Sequence, residues 1–115
     1  MSQTNFKKVV LYTDESDGRS KFREEDVPMP AAGAVGFLSE VQETTGYQFR
    51  QSPAGYSSAF HNTGEKQWIF VISGVMRVTL RDESYRDFSA GDSFFCMDTA
   101  PARPLNGSQC TSTTL

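Results

Sequence analysis

"WIFVISGVMRVTLRDESYRDFSAGDSFF", residues 68–95, is the stretch whose periodicity decides the fold. Its middle alternates strictly: Met76, Val78 and Leu80 fall on one side, and Arg77, Thr79 and Arg81 on the other. Successive side chains of a strand point to opposite faces, so this is a strand with one apolar and one wet face. Breaks follow at short intervals. The sequence predicts turns near Glu83 and Ser84 and again at "SAGD", where Gly91 can adopt the positive φ that a tight turn demands. By contrast "WIFVI" is continuously apolar, which predicts a central strand covered on both sides.

Working outward, "KKVVLYTD" (7–14) reads as a first strand ending at the turn-forming "DESDG". A polar strand or arm follows, and Pro28 and Pro30 forbid regular helix, which predicts loop through that stretch. From "VGFLSEVQ" onward, strand-sized pieces are divided by "TTG", "SPAG", "NTGE" and "SG". Short strands so punctuated indicate a sandwich or barrel rather than alternating helices. The expected organisation is a single domain. Residues 1–34 form a strand and arm packing on the core, 35–98 a strand-dominated β-barrel core, and 99–115 an irregular tail of prolines and small polar residues.

At 115 residues, with 37% hydrophobic and 12% aromatic content, the chain can bury a modest core without covalent staples. A net charge of -3 with scattered basic residues argues against nucleic-acid binding, which needs clustered Lys and Arg to displace counterions. No apolar run is long enough to cross a bilayer and the N-terminus lacks the apolar core of a secretory signal, so no membrane partner and a cytoplasmic location are expected. Cys96 and Cys110 match neither a disulfide framework nor a zinc motif and read as free thiols. The serines lack a strand-turn-helix elbow and no glycine loop cradles phosphate, so neither acyl transfer nor nucleotide hydrolysis has support.

One segment carries a more specific signal. In "GYSSAFHNTGEKQWIFVISG" (55–74), Gly55 is followed after five residues by His61, the only histidine, then by Thr63, Gln67 and Gly74 at intervals of one, three and six residues. This spacing resembles the first motif of the cupin superfamily, Gly, five residues, His, one residue, His, three or four residues, Glu, six residues, Gly. Thr63 and Gln67 stand where that motif has its second His and its Glu. The likeness covers about residues 47–98 and is greatest to small single-domain cupins with Gln at this point. Of the second motif, counted from Gly91, Met97, Thr99 and Ala102 stand at the Pro, Gly and His positions, and only Asn106 agrees. The resemblance implies an all-β, jelly-roll small barrel. Because such barrels continue for one or more strands beyond this point, it also implies an incomplete C-terminal edge, a hazard unless covered.

A catalytic metal in such a barrel needs about three protein ligands, and Thr and Gln are poor ones, so the expectation is no metal and no cofactor. That leaves His61, Gln67 and Asp98 as the catalytic candidates. His61 is an acid or base able to change charge near neutrality, Gln67 polarises a carbonyl or hydroxyl, and Asp98 orients the imidazole or acts as a base. Arg50 binds a carboxylate or enolate oxygen through its planar fork if it points inward, and Tyr56, Thr63 and Met76 complete the substrate-binding set. Each has a plainer reading: a hydrogen-bonded strand histidine, an outward charge, a structural amide, a turn-capping Asp.

Three functions are compatible with these residues. The first is a small polar or aromatic metabolite held in the barrel, with a metal-independent proton transfer of isomerase, dehydratase or cyclase type. The second is a non-catalytic binding or assembly module, and the third a metal-dependent cupin oxygenase or isomerase. The unmarked apolar row Trp68, Phe70 and Ile72 adds the expectation of a homodimer.

Overall fold

The "DESDG" turn closes a long hairpin in the computed structural model, which describes residues 3–99 and 106–114. Strand β1 (Gln3–Asp14) pairs antiparallel with β2 (Arg19–Pro30) from Gln3 opposite Pro30 to Asp14 opposite Arg19. Asp14 organises the turn. Its Oδ1 accepts the Ser16 N–H at 2.9 Å and the Ser16 hydroxyl at 2.7 Å, while Lys21 Nζ lies 2.8 Å from both Asp14 and Asp17. Gly18, at φ 72, completes it.

β2 continues through Pro28 and Pro30, where the sequence predicted loop. The reason is the edge position of β2 in the sheet order β2-β1-β6-β3. Residues two apart turn their N–H groups to the same side, and on that side the Pro30 carbonyl accepts from Leu38 at 3.1 Å rather than from β1. Both missing donors therefore face away from the ladder, where edge strands tolerate proline. A single 3₁₀ turn, Gly33–Val35, follows.

The alternating stretch forms as expected. β4 (Val75–Leu80) and β5 (Tyr85–Ser89) make a hairpin, with Val78 and Leu80 buried and Arg77 on the wet face paired to Asp87 at 2.8 Å. Its turn is held by Asp82 Oδ1, which accepts the Ser84 N–H at 3.0 Å, and leaves Glu83 at φ 71. Gly91, at φ 93, turns the chain into β6 (Ser93–Cys96), and the Asp92 carboxylate receives the Ser89 N–H at 2.8 Å. β6 runs parallel to β1 and antiparallel to β3 (Gln67–Phe70).

The "WIFVI" run is not central: β3 is a four-residue edge strand of the first sheet. Ile69 and Val71 turn to the core, and Trp68 lies against Phe6, Phe70 and Phe95 at centroid separations of 6.5, 5.7 and 5.4 Å. Phe70 and Ile72 remain 67% and 76% exposed. A continuous apolar run thus serves one buried face and one face that β1 and β6 cover only in part.

Two further expectations are corrected. Ser108–Thr114, read as irregular tail, forms β7, which pairs antiparallel with β4 and gives the second sheet its order β5-β4-β7. The expectation for residues 100–105 lies outside the described residues. Conversely, residues 38–66, read as part of a strand-dominated core, carry only isolated bridges, Ser57 to Thr111 and His61 to Ser108. Those bridges cover the outer edge of β7 through bonds such as Gly55 N–H to the Ser112 carbonyl at 2.8 Å, so that edge is met within the chain.

The result is all-β, two sheets around a shared core of Leu11, Phe94 and Cys96 from one sheet and Val78, Leu80 and Phe88 from the other. Phe88 stacks on Phe94 at 4.4 Å between centroids. Each such side chain contributes about 1.5–3 kcal/mol on leaving water. The described residues form no closed barrel. Among them no helix is long and apolar enough to cross a membrane.

Candidate functional site

Between the sheets lies a cleft of about 70 Å³. Leu11, Ile69, Met76, Val78 and Phe94 form its apolar floor, contributed by β1, β3, β4 and β6. Its polar rim is Arg50, His61, Thr63, Gln67 and Ser108, with the thiols of Cys96 and Cys110 in the wall. Five of the seven side chains singled out in the sequence therefore meet: His61, Gln67, Arg50, Thr63 and Met76.

His61 is held through its backbone. Its N–H donates to the Ser108 carbonyl and its carbonyl accepts from the Ser108 N–H, both at 3.0 Å, which ties this otherwise irregular segment to the start of β7. Gly107, at φ 94, lies against the same backbone, and a Cβ there would come within 3.3 Å of the His61 carbonyl oxygen. Only glycine suits both the conformation and the space. The imidazole Nδ1 is 2.8 Å from the Ala59 carbonyl. A carbonyl only accepts, so Nδ1 carries the proton and Nε2 of the neutral ring keeps its lone pair.

Around it the groups are modestly constrained. The Thr63 hydroxyl donates to the Glu65 carbonyl at 2.7 Å, and Gln67 opens β3 opposite Cys96. The exposed Arg50 donates from Nε to the Ser52 hydroxyl at 3.1 Å, and its guanidinium lies 5.3 Å from the Tyr56 ring. Tyr56 is outside the cleft lining and acts there only as a support for Arg50. The neighbouring Asn62 carboxamide is buried, and neither its oxygen nor its nitrogen is hydrogen-bonded among the described residues.

Asp98 departs most from its expected role. It is 1% exposed, lies outside the cleft lining, and accepts hydrogen bonds from the Thr13 hydroxyl and, at 2.5 Å, from the Ser20 hydroxyl. Ser20 Oγ in turn accepts the Gly107 N–H at 2.7 Å. Asp98 thus fastens the β1–β2 hairpin to Gly107, and through Gly107 supports the His61 backbone. It neither orients the imidazole nor serves as a base in the cleft.

Both cysteines are free, as expected, and both stand in the cleft wall, a place not read from the sequence for either. Burial pushes the Cys96 thiol up to about 11, against a backbone N–H from Asp98 that favours the thiolate. Burial also raises Cys110, opposed by the nearby Arg50 charge. These are protonated wall groups, not nucleophiles. Cys96 was legible as the residue two beyond Phe94 on the same strand face. Cys110 and Ser108 were not, since their strand was read as tail.

No three His, Cys, Asp or Glu side chains converge as metal ligands among the described residues. Comparisons of the chain with protein-family models, curated proteins and solved structures find no match.

Proposed function

We propose that this chain is a cupin-like, jelly-roll-type domain that binds a small polar or aromatic metabolite in the inter-sheet cleft. In this reading His61 performs a metal-independent proton transfer of isomerase, dehydratase or cyclase type. The observation that carries the proposal is the convergence of His61, Gln67, Thr63 and Arg50 above an apolar floor that includes Met76, the arrangement of few polar groups over apolar walls that small-molecule sites use. With Nδ1 committed to Ala59, Nε2 is the nitrogen that exchanges a proton with the ligand, and the Gln67 amide polarises a ligand oxygen.

The test is a thermal-shift screen of small polar and aromatic metabolites, in which a ligand at a hundred times its Kd stabilises by about 2.7 kcal/mol. Turnover of the hit is then followed in wild type and His61→Ala. Loss of turnover with the fold retained supports the proton-transfer role; equal turnover removes His61 from the chemistry. A second reading, binding without turnover, is favoured by one observation: Asp98 lies outside the cleft, so His61 has a backbone carbonyl but no carboxylate behind it. A hit that binds and is never converted selects that reading.

We also infer a homodimer through Phe70, at the end of the edge strand, and Ile72 just beyond it, both exposed. Covering them in a second copy recovers roughly 1.5–3 kcal/mol per side chain. Sedimentation equilibrium at tens of micromolar should give a dimer mass that Phe70→Glu abolishes; a monomer mass for wild type overturns it.

A further inference from the structure

We propose that the ligand of the cleft is a short monocarboxylate, its carboxylate paired with Arg50 and its hydrocarbon or aromatic part on the floor of Ile69, Met76 and Phe94; this rests on the reading that the cleft binds a small molecule. Charge carries the inference. The chain has 14 acidic residues against 11 basic ones, yet no Asp or Glu lines the cleft and its one permanent charge is the Arg50 guanidinium.

That guanidinium forms no ion pair with any described residue, whereas Lys7, Lys8, Lys21, Arg23, Arg77 and Arg86 do; Arg19, Lys66 and Arg81 form none either, and of these four only Arg50 lines the cleft. Its Nε is occupied by Ser52 and its plane is supported by Tyr56, which leaves the terminal nitrogens as the fork that meets a carboxylate. From there its charge opposes the rise that burial imposes on the Cys110 thiol.

Size and chemistry narrow the class. The cleft, about 70 Å³ and open at the exposed rim of Arg50, His61 and Gln67, holds several times what one water needs, so it takes a short branched chain or a single ring whose carboxylate stays at the mouth, rather than a nucleotide or sugar phosphate. Phosphate carries nearly two charges at neutral pH and is met elsewhere by several cations or by a helix N-terminus. Here there is one cation, and the only helix among the described residues is a three-residue 3₁₀ turn. Gln67 and Ser108 add neutral donors, which suit a carboxylate oxygen. With Nδ1 turned to the Ala59 carbonyl, Nε2 of His61 is the ring nitrogen left to exchange a proton with the carbon or hydroxyl beside the carboxylate.

The experiment follows methyl resonances of Met76 and Ile69 and backbone amides of the full chain during titration with benzoate, 3-methylbutanoate, benzamide and inorganic phosphate, in wild type and Arg50→Gln. Both carboxylates should shift the cleft resonances. Arg50→Gln, an exposed substitution that leaves the fold in place by circular dichroism, should weaken them at least tenfold and leave benzamide unchanged. If benzamide binds as well as benzoate, or if Arg50→Gln keeps the carboxylate affinity, the anion class falls and the small-molecule cleft stands. Phosphate binding more tightly than either carboxylate also overturns the class. No shift of Met76 or Ile69 with any of the four removes both readings.

Discussion

The two-sheet core and the segment of residues 38–56 both set apolar side chains in alternation with polar ones and put them to opposite use. In the core, Val78 and Phe88 alternate with polar neighbours, and with Phe94 they lose nearly all contact with water. In the segment, Tyr47 and Phe49 alternate with Gln48 and Arg50 just as regularly, yet they stand 86% and 85% exposed, touching each other edge-on at 5.7 Å. Period two says that a stretch can form a strand, but burial requires a partner edge and an opposing sheet. β4 has both, in β5, β7 and the facing β6; the stretch that carries Tyr47 and Phe49 has neither. Local pattern proposes and long-range pairing decides.

The comparison breaks most visibly in the core. Phe88→Ala removes a ring stacked on Phe94 and tilted against Phe22, and should cost about 3–5 kcal/mol in urea unfolding. A cost below about 1 kcal/mol would mean that this core is no better packed than the segment. Next comes the polar anchor. Asp98→Ala strands the Thr13 and Ser20 hydroxyls, and since hydrogen bonds to a charged acceptor are worth about 1.5–3 kcal/mol each, a loss of about 3 kcal/mol is expected. Because Ser20 holds Gly107 and Gly107 abuts His61, the same variant should move the His61 imidazole resonances although Asp98 never meets the ring. Unmoved resonances would separate the anchor from the site.

The third effect is a dependence on alkaline pH. The Cys96 thiol stands at about 11 in the fold against 9.0 in the open chain, so between those values the unfolded state has lost a proton that the folded state keeps. Stability then falls as pH rises: the contribution is whole below pH 9 and declines through pH 11 by about 2–3 kcal/mol. Cys110, raised for the same reason, acts in the same direction. Cys96→Ala should flatten much of the slope between pH 9 and 11 in urea titrations. An unchanged slope would assign it to other groups and leave the thiol outside the dry core.

How much of this was legible follows from where the deciding contacts lie. The β4–β5 hairpin and the Gly91 turn were readable because alternation and turn chemistry are local, and Glu83 and Gly91 do take the positive φ of those turns. β7 was not readable: "SQCTSTT" is polar and short, and it becomes a strand because β4 offers it an edge, aided by the β propensity of its threonines. The edge position of β3 was equally hidden, since a continuous apolar run fits a central strand and a half-covered one alike. At the cleft, motif spacing placed His61, Thr63 and Gln67 together, and Arg50 arrived with them. Asp98 was misread because its partners, Thr13 and Ser20, lie more than seventy residues away in sequence.

The smallest expected effect tests the exposed side of the comparison. Tyr47→Ser and Phe49→Ser, singly or together, remove apolar surface that the fold leaves in water, so nothing is transferred back and no cavity opens. Exposed substitutions of this kind stay within about 0.5 kcal/mol, and since either one already removes the Tyr47–Phe49 edge-on contact, the double variant should cost no more than the sum of the two. Urea midpoints at one micromolar and at one hundred micromolar make the test sharper. If the variants match wild type at both concentrations, residues 38–56 stay uncovered and Phe70 and Ile72 alone carry the proposed association. If the double variant is destabilised by 2 kcal/mol or more only at the higher concentration, a second copy covers Tyr47 and Phe49. The contrast between the two regions would then belong to the single chain and not to the assembled protein, because the partner edge absent from one copy would be supplied by the other.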